Sequence, residues 1–292
     1  VFHHQSREWW EIGNLSSQIR EAKPCANFTL EAWQDSLPRG EFIKTVKTIK
    51  EYIAAGDIYQ VNLSRRLRAK CRAPEGLFSL YDKLRNSSPA PTASYLNLAG
   101  REILSSSPET FLRFSGPEVE TRPIKGTRPR FADPELDSRS AFDLQRSEKE
   151  RAELVMITDL LRNDIGQVCE FGSVQVTDML QLEKLQHVHH LVSTIRGTLA
   201  PEHSQLSALA SCFPGGSITG APKKRATEII SELEPVSRGL YTGAIGFLGF
   251  NGESQFNIAI RTLIHENGNL DYHVGAGIVA DSDPLAEFEE TE

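Results

Sequence analysis

Between Thr92 and Arg122 the chain runs through four short strand-like segments with no space for a helix between them. Thr92–Leu98, Glu102–Ser106 and Thr110–Phe114 follow closely on one another, Gly100 turns between the first two, and a fourth segment lies near Glu118–Arg122. Connections this short join antiparallel neighbours, because a parallel pair needs a crossover of roughly a dozen residues or more. The last third repeats the pattern as Thr242–Phe250, Phe256–His265 and Leu270–Val279, with Asn267-Gly268 as a hairpin turn. A further strand spans Asp57–Ala69, where Tyr59, Val61, Leu63 and Leu67 alternate with Gln60, Asn62, Ser64 and Arg66. Two more lie near Ser173–Met179 and His189–Thr198.

Helical periodicity is confined to separate stretches. Phe42, Val46, Ile49 and Ile53 share one face of a helix over 41–55, closed by Gly56. Shorter helices are expected over 75–85, 204–212 and from Pro222 to Glu234. The strongest helix starts at Ser147, with Glu150 as its capping-box partner, and reaches Asn163. Its Leu154, Val155, Ile157, Leu160 and Leu161 wrap more than one face, which predicts burial. Residues 131–147 read as an exposed polar loop. Grouped helices with hairpin strands predict an α+β fold with mostly antiparallel sheets.

The 292 residues suffice for one substantial core, read as a single catalytic domain over 1–292. Residues 1 to about 35 give a weak signal, with Phe2, Trp9 and Trp10 in a strand-like run; they are read as the remnant of a missing N-terminal part. The chain stops after Glu-Glu-Thr-Glu with no closing element. A net charge of -7 argues against nucleic acid or an anionic membrane as partner. No run approaches the ~18 apolar residues of a membrane span. Cys25, Cys71, Cys169 and Cys212 form no CxxC pair, so they are expected to be small buried hydrophobes in a reducing, cytoplasmic compartment.

Chemistry concentrates in a few places. Lys125 lies in Pro123-Ile-Lys-Gly-Thr, where proline fixes the approach and Gly126 lets the backbone come close to a ligand. Glu150 and Glu153 are one helical turn apart, and Glu287, Glu289, Glu290 and Glu292 crowd the C-terminus. Hard oxygen donors from two elements suit Mg²⁺, although acidic helix turns are also common on plain surfaces. The stretch Phe213-Pro-Gly-Gly-Ser-Ile-Thr-Gly lacks the Lys-Ser/Thr of a phosphate loop. It leaves Lys223, Lys224 and Arg225 in the first turn of a helix, against the dipole, where an anion or a tight connection would account for them. Val274-Gly-Ala-Gly-Ile-Val lacks the third glycine of a dinucleotide fingerprint, yet could offer backbone N–H groups to a carboxylate. His187, His189 and His190 sit on one strand, whose alternation prevents all three from sharing a metal. No cysteine stands in a nucleophile elbow, so the chain carries no glutaminase of its own.

Taken together, these segments resemble the chorismate-utilising enzymes from about Gly40 onward. The resemblance rests on Gly56-Asp-Ile-Tyr-Gln-Val-Asn-Leu, Ser107-Pro-Glu, Pro123-Ile-Lys-Gly-Thr, Asp159-Leu-Leu-Arg-Asn-Asp, His190-Leu-Val-Ser, Gly215-Gly-Ser-Ile-Thr-Gly-Ala-Pro-Lys, Ile260-Arg-Thr and Gly275-Ala-Gly-Ile-Val-Ala-Asp-Ser. Within the family, the chain is most similar to the component I branch of aminodeoxychorismate synthase (para-aminobenzoate synthase). That branch has lysine at the position of Lys125, where anthranilate synthases have alanine.

The resemblance implies an α/β sandwich of two facing, mostly antiparallel sheets with helices outside and chorismate between them. It implies Glu109 as general acid, Lys125 as nucleophile, and Glu153 and Glu290 as direct Mg²⁺ ligands supported by Glu150 and Glu287. His190, Ser217, Tyr241, Arg261, Gly275, Ala276 and Gly277 match substrate-binding positions, with Gly126 and Thr127 beside the lysine. Arg122, Arg128 and Arg130 become candidates for tuning Lys125. The family's C-terminal helix is expected to be absent. The implied reaction converts chorismate and ammonia, supplied by a separate glutamine amidotransferase subunit, to 4-amino-4-deoxychorismate on the way to p-aminobenzoate and folate. Anthranilate synthase component I, an isochorismate or salicylate synthase, and a non-catalytic chorismate-binding subunit are the alternatives.

Overall fold

The structure, a computed structural model, describes Phe28–Leu98 and Gly100–Glu292, together with the paired strands Phe2–His3 and Glu8–Trp9. Trp10 and Cys25 lie outside the described residues. Among the described residues every strand pairing is antiparallel, and the two large sheets carry seven and eight strands.

In the first sheet Val188–Thr198 pairs along one edge with Gln175–Lys184. Its other edge is taken by Ile124–Pro129 and then by Glu118–Arg122. The sheet continues through Thr110–Ser115 and Glu253–Ile258 to Ala244–Leu248. The second sheet runs Gly220–Ala221, Gln60–Arg72, Asn269–Ile278, Thr262–Glu266, Arg101–Ser105, Ser94–Leu98, with Thr29–Leu30 and Gln34–Asp35 also on Gln60–Arg72.

Each sheet buries its apolar side against helices. Phe114, Val119, Ile195 and Phe256 pack on Ile157, Leu161 and Ile165 of the helix Glu148–Gly166 and on Cys212 of Gln205–Cys212. Val61, Leu63, Ala276 and Ile278 pack on Phe42, Val46 and Ile49 of Arg39–Ala54 and on Ile229 of Lys223–Leu233. Each of the buried valine, leucine, isoleucine and phenylalanine side chains contributes about 1.5–3 kcal/mol. Because alternate strand residues face opposite ways, Gln60, Asn62 and Ser64 point away from that apolar layer, yet all three are buried. Their face looks into the cleft between the sheets.

Five expectations are corrected. Residues 131–147 contain the helix Pro134–Arg146, which Asp133 caps through Glu135 N and Leu136 N with proline at its start. Its buried side is only Ser140, Ala141 and Leu144, too narrow a stripe to read as helical periodicity. Phe256–His265 is two strands, Glu253–Ile258 in the first sheet and Thr262–Glu266 in the second. The lysine stretch is a strand, Ile124–Pro129, broken from Glu118–Arg122 by Pro123 alone. Pro284–Glu290 forms a short helix capped by Asp283 where no closing element was foreseen. In the helix Glu148–Gly166 Val155 is also exposed, so its burial is one-sided.

Candidate active site

The cleft is furnished where the chain changes sheet. It leaves Arg101–Ser105 of the second sheet, crosses through Ser106–Pro108, and enters Thr110–Ser115 of the first, with Glu109 at the entry. It returns from Glu253–Ile258 to Thr262–Glu266 through Ala259, Ile260 and Arg261. The two crossings are tied together: Ser106 N donates to Arg261 O at 3.1 Å, Ile258 N to Glu109 O at 3.1 Å, and the Ser107 hydroxyl to Ile258 O at 2.6 Å. Arg261 sits in the left-handed region at φ 49°. That angle lies outside the regular β region, and the strands on either side stop at Ile258 and resume at Thr262.

Glu109 is buried, and burial holds its carboxyl above the usual range. The Ser217 hydroxyl, hydrogen-bonded to it, and the Lys125 charge pull the other way. Ser217 is itself buried in the turn Gly216–Ile218.

Lys125 lies on Ile124–Pro129, where the ladder to Val188–Thr198 slips between Lys125 and Thr127. Gly126 absorbs the slip at φ 73°, and a Cβ there would stand 2.7 Å from Leu144 and 3.1 Å from the Glu150 carboxylate. Such a bulge re-aims neighbouring side chains, and the Lys125 Nζ ends 3.6 Å from where a Cβ on Gly277 of the second sheet would be. The three nearby arginines are each paired with a carboxylate, and Arg128 lines the same cavity as Lys125. Arg122 pairs with Glu183, Arg128 with Glu150 at 3.3 Å, and Arg130 with Asp137 at 3.1 Å. Lys125 also faces acidic groups, its charge acting on Glu109, Glu153 and Glu290.

Lys125, Gly126, Thr127, Glu150, Glu153, Gly277, Glu287 and Glu290 line one cavity of about 450 Å³ together with Arg128 and Lys149. Burial, opposed by Lys125 and Lys149, raises Glu153. Burial, then the Glu287 and Glu150 charges, raises Glu290, although its outer edge is exposed. Glu287 is buried and takes the Lys149 ammonium at 3.2 Å. Glu150 does not complete the expected capping box: Ser147 accepts its N–H, while its carboxylate turns to Arg128 and the cavity.

His190 and His189 point to opposite faces, as strand alternation requires. His190 Nδ1 lies 3.0 Å from Thr127 Oγ1 and 3.4 Å from Gly126 O, and its buried Nε2 has no partner. Burial lowers its pKa and keeps it neutral. His189 packs against Asp137 at 2.9 Å on the helix side. Lys223 is likewise accounted for without an external anion, by Asp164 at 2.6 Å.

Gly275, Ala276 and Gly277 pair with Ser64, Leu63 and Asn62. On the other edge the ladder to Thr262–Glu266 ends at Tyr272, so these three residues keep one edge open toward the crossing. The Asn62 amide nitrogen and the Tyr241 hydroxyl both lie 2.9 Å from the Cβ position of Gly275. Tyr241 stacks on His273 with centroids 5.1 Å apart, and burial pushes its hydroxyl up to about 12. Asn62 and Gln60 both escaped the sequence reading as site residues. Gln60 is wholly buried, both its amide atoms lack partners, and its Nε2 lies 2.6 Å from the Cβ position of Gly277. Polar alternation in Gln60–Arg66 was the signal, but alternation does not reveal that the polar side is a cleft.

Comparison with known proteins then decides the family. A family model described as chorismate binding enzyme matches residues 2–292. The chain belongs to the chorismate binding enzymes. This chorismate binding enzyme is 48% identical over 267 residues to anthranilate synthase component 1 of Streptomyces coelicolor, covering 91% of this chain and 52% of that protein. It is 45% identical over 286 residues to aminodeoxychorismate synthase component 1 of Escherichia coli, covering 98% and 61%. The crystal structure of anthranilate synthase component I from Streptococcus pneumoniae superposes with a TM-score of 0.84 at 35% identity, covering 95% of this chain and 62% of that one. The chain thus spans between half and two thirds of the length of these relatives. Identities of 48% and 45% do not separate the two reactions.

The carboxylates of this chorismate binding enzyme suit a hard divalent cation. Glu150, Glu153, Glu287 and Glu290 bring only oxygen donors to one cavity, and two of them are held above their usual range. Among the described residues no three acidic, histidine or cysteine side chains converge into a cage. Mg²⁺ does not need one, since it takes one or two carboxylates and completes its shell with water and substrate oxygen.

Proposed function

We propose that this chorismate binding enzyme converts chorismate and ammonia to 4-amino-4-deoxychorismate through a covalent adduct on Lys125. The observation that carries this reading is the placement of Lys125. Its ammonium nitrogen reaches across the cleft to Gly277, within the cavity of the four glutamates and inside the charge field of Glu109.

Each group has work suited to its surroundings. Among the described residues Arg261 has no carboxylate within ion-pair distance, so its guanidinium is available to the enolpyruvyl carboxylate. The open edge at Gly275–Gly277, Tyr241, and the free Nε2 of His190 would orient the ring. Mg²⁺ held by Glu153 and Glu290, with Glu150 and Glu287 behind them, would supply Lewis-acid polarisation and a template at the ring carboxylate.

In the first step the Lys125 ammonium gives up a proton to solvent, and the resulting amine forms a bond to C2 of the ring as the C4–oxygen bond breaks. Glu109, kept protonated by burial, gives its proton to the departing hydroxyl, which leaves as water. The new ammonium on the adduct returns a proton to the Glu109 carboxylate. Ammonia then bonds to C4, the C2–nitrogen bond breaks, and Glu109 protonates the departing lysine. The enolpyruvyl group stays on the ring throughout. Ammonia comes from a glutamine amidotransferase subunit, for which free ammonium substitutes in assay.

Intact-protein mass measurement after an acid quench tests the adduct. With chorismate and Mg²⁺ but no ammonia, a fraction of the protein gains the mass of chorismate less one water, and the label maps to Lys125. Labelling elsewhere, or turnover at the original rate in Lys125→Ala, would overturn the covalent role.

A further inference from the structure

Three groups at the cleft stand on separate elements: Ser217 on the turn Gly216–Ile218, Asn62 on Gln60–Arg72, and Tyr241 on the turn before Ala244–Leu248. One side chain outside the cavity joins all three elements. Arg238 donates from Nη1 to Ile218 O at 2.8 Å and to the Thr242 hydroxyl at 3.4 Å. It donates from Nη2 to Asn62 O at 2.7 Å and to a Glu234 oxygen at 2.6 Å, and from Nε to the other Glu234 oxygen at 2.9 Å. All five N–H donors of the guanidinium are therefore used. Its carbon also lies 5.8 Å from the Tyr241 ring centroid.

Glu234 fixes the guanidinium in turn. One of its oxygens also accepts the Ser64 N–H at 2.8 Å and the Ser64 hydroxyl at 2.9 Å. The pair is nearly dry, with side-chain exposures of 12% for Arg238 and 4% for Glu234. A surface ion pair would be worth little. This one spans buried carbonyls on two elements that would otherwise lose their partners.

We propose that Arg238, held by Glu234, is a positioning residue that sets Ser217 and Tyr241 relative to the Asn62 strand, so that Ser217 meets Glu109 in the working geometry. It touches neither substrate nor Glu109. Lysine cannot replace it, having three donors on a flexible stem instead of five in a rigid fork. The kinetic part of this proposal rests on the function proposed above, and the structural part does not.

Two measurements separate these parts. Hydrogen exchange on Arg238→Lys reads the clamp directly: amides in 215–220 and 239–243 should exchange faster together, while the helix Glu148–Gly166 stays as protected as in the parent. Unchanged exchange in either turn would overturn the clamp, whatever the reaction is. A double-mutant cycle with Ser217→Ala reads its consequence, with kcat and KM for chorismate measured separately. Arg238→Lys should lower kcat by roughly tenfold to a hundredfold with little change in KM. In the Ser217→Ala background the same change should cost far less, because both act through one contact. Losses that multiply, or a fall confined to melting temperature, would overturn the positioning role. Absence of chorismate turnover in the parent protein would sink the proposed function and leave the exchange result standing. Should Arg238→Lys not fold, Glu234→Gln, which keeps the volume and weakens the grip, carries both measurements.

Discussion

At the residue scale, Glu109 sets stability against chemistry. Its raised pKa means that the protonated, folded form is favoured, so the stability it contributes is complete below the ordinary glutamate pKa and is lost as pH rises through the raised value. Glu109→Gln should therefore melt higher than the parent at neutral pH. The advantage should vanish on acidification below the ordinary glutamate range, as scanning calorimetry at several pH values would show. The same variant should lose on the order of a hundredfold or more in kcat. The parent's kcat should fall as pH rises through the raised pKa, because the acid form disappears. A second residue-scale test is Gly277→Ala. Its methyl would stand 2.6 Å from Gln60 Nε2 and 3.6 Å from Lys125 Nζ. It should abolish turnover while costing far less in melting temperature than a core truncation.

At the scale of elements, the sequence revealed what periodicity and caps encode. The helix Arg39–Ala54 and the long helix capped by Ser147 were legible because each carries an apolar stripe and a stop or start signal. The helix Pro134–Arg146 was not, because only three of its residues are buried. Its start is nonetheless local chemistry, so Asp133→Ala should destabilise the protein by about 1 kcal/mol in denaturant unfolding. A value near zero would mean that packing of Leu144, not the cap, holds the helix. The break at Ala259–Arg261 was hidden for a different reason: strand propensity runs through it, and only the transfer from one sheet to the other ends the ladder. Sequence matching singled out Glu109, Lys125 and the glutamates as candidates, but it did not show what faces the lysine. The nearby arginines looked like its tuning partners; each is paired with a carboxylate, and of the three only Arg128, on Glu150, lines the lysine's cavity.

At the scale of the whole molecule, each sheet keeps its apolar side for its own helices, which leaves the space between the sheets polar and available for chemistry. Acidic groups from the long helix and from Pro284–Glu290 meet at one end of that space, so a divalent cation should join the two. Mg²⁺ at ten times its dissociation constant should stabilise the folded state by about 1.4 kcal/mol, seen as a rise in melting temperature. Glu153→Gln and Glu290→Gln should each reduce that rise without chorismate present. An unchanged rise in both variants would place the ion elsewhere.

The product formed from chorismate, Mg²⁺ and ammonium tests the central claim most directly. Mass spectrometry should find 4-amino-4-deoxychorismate, with the enolpyruvyl group retained and no pyruvate released. Anthranilate with an equivalent of pyruvate, or isochorismate formed with water in place of ammonia, would contradict the role given to Lys125.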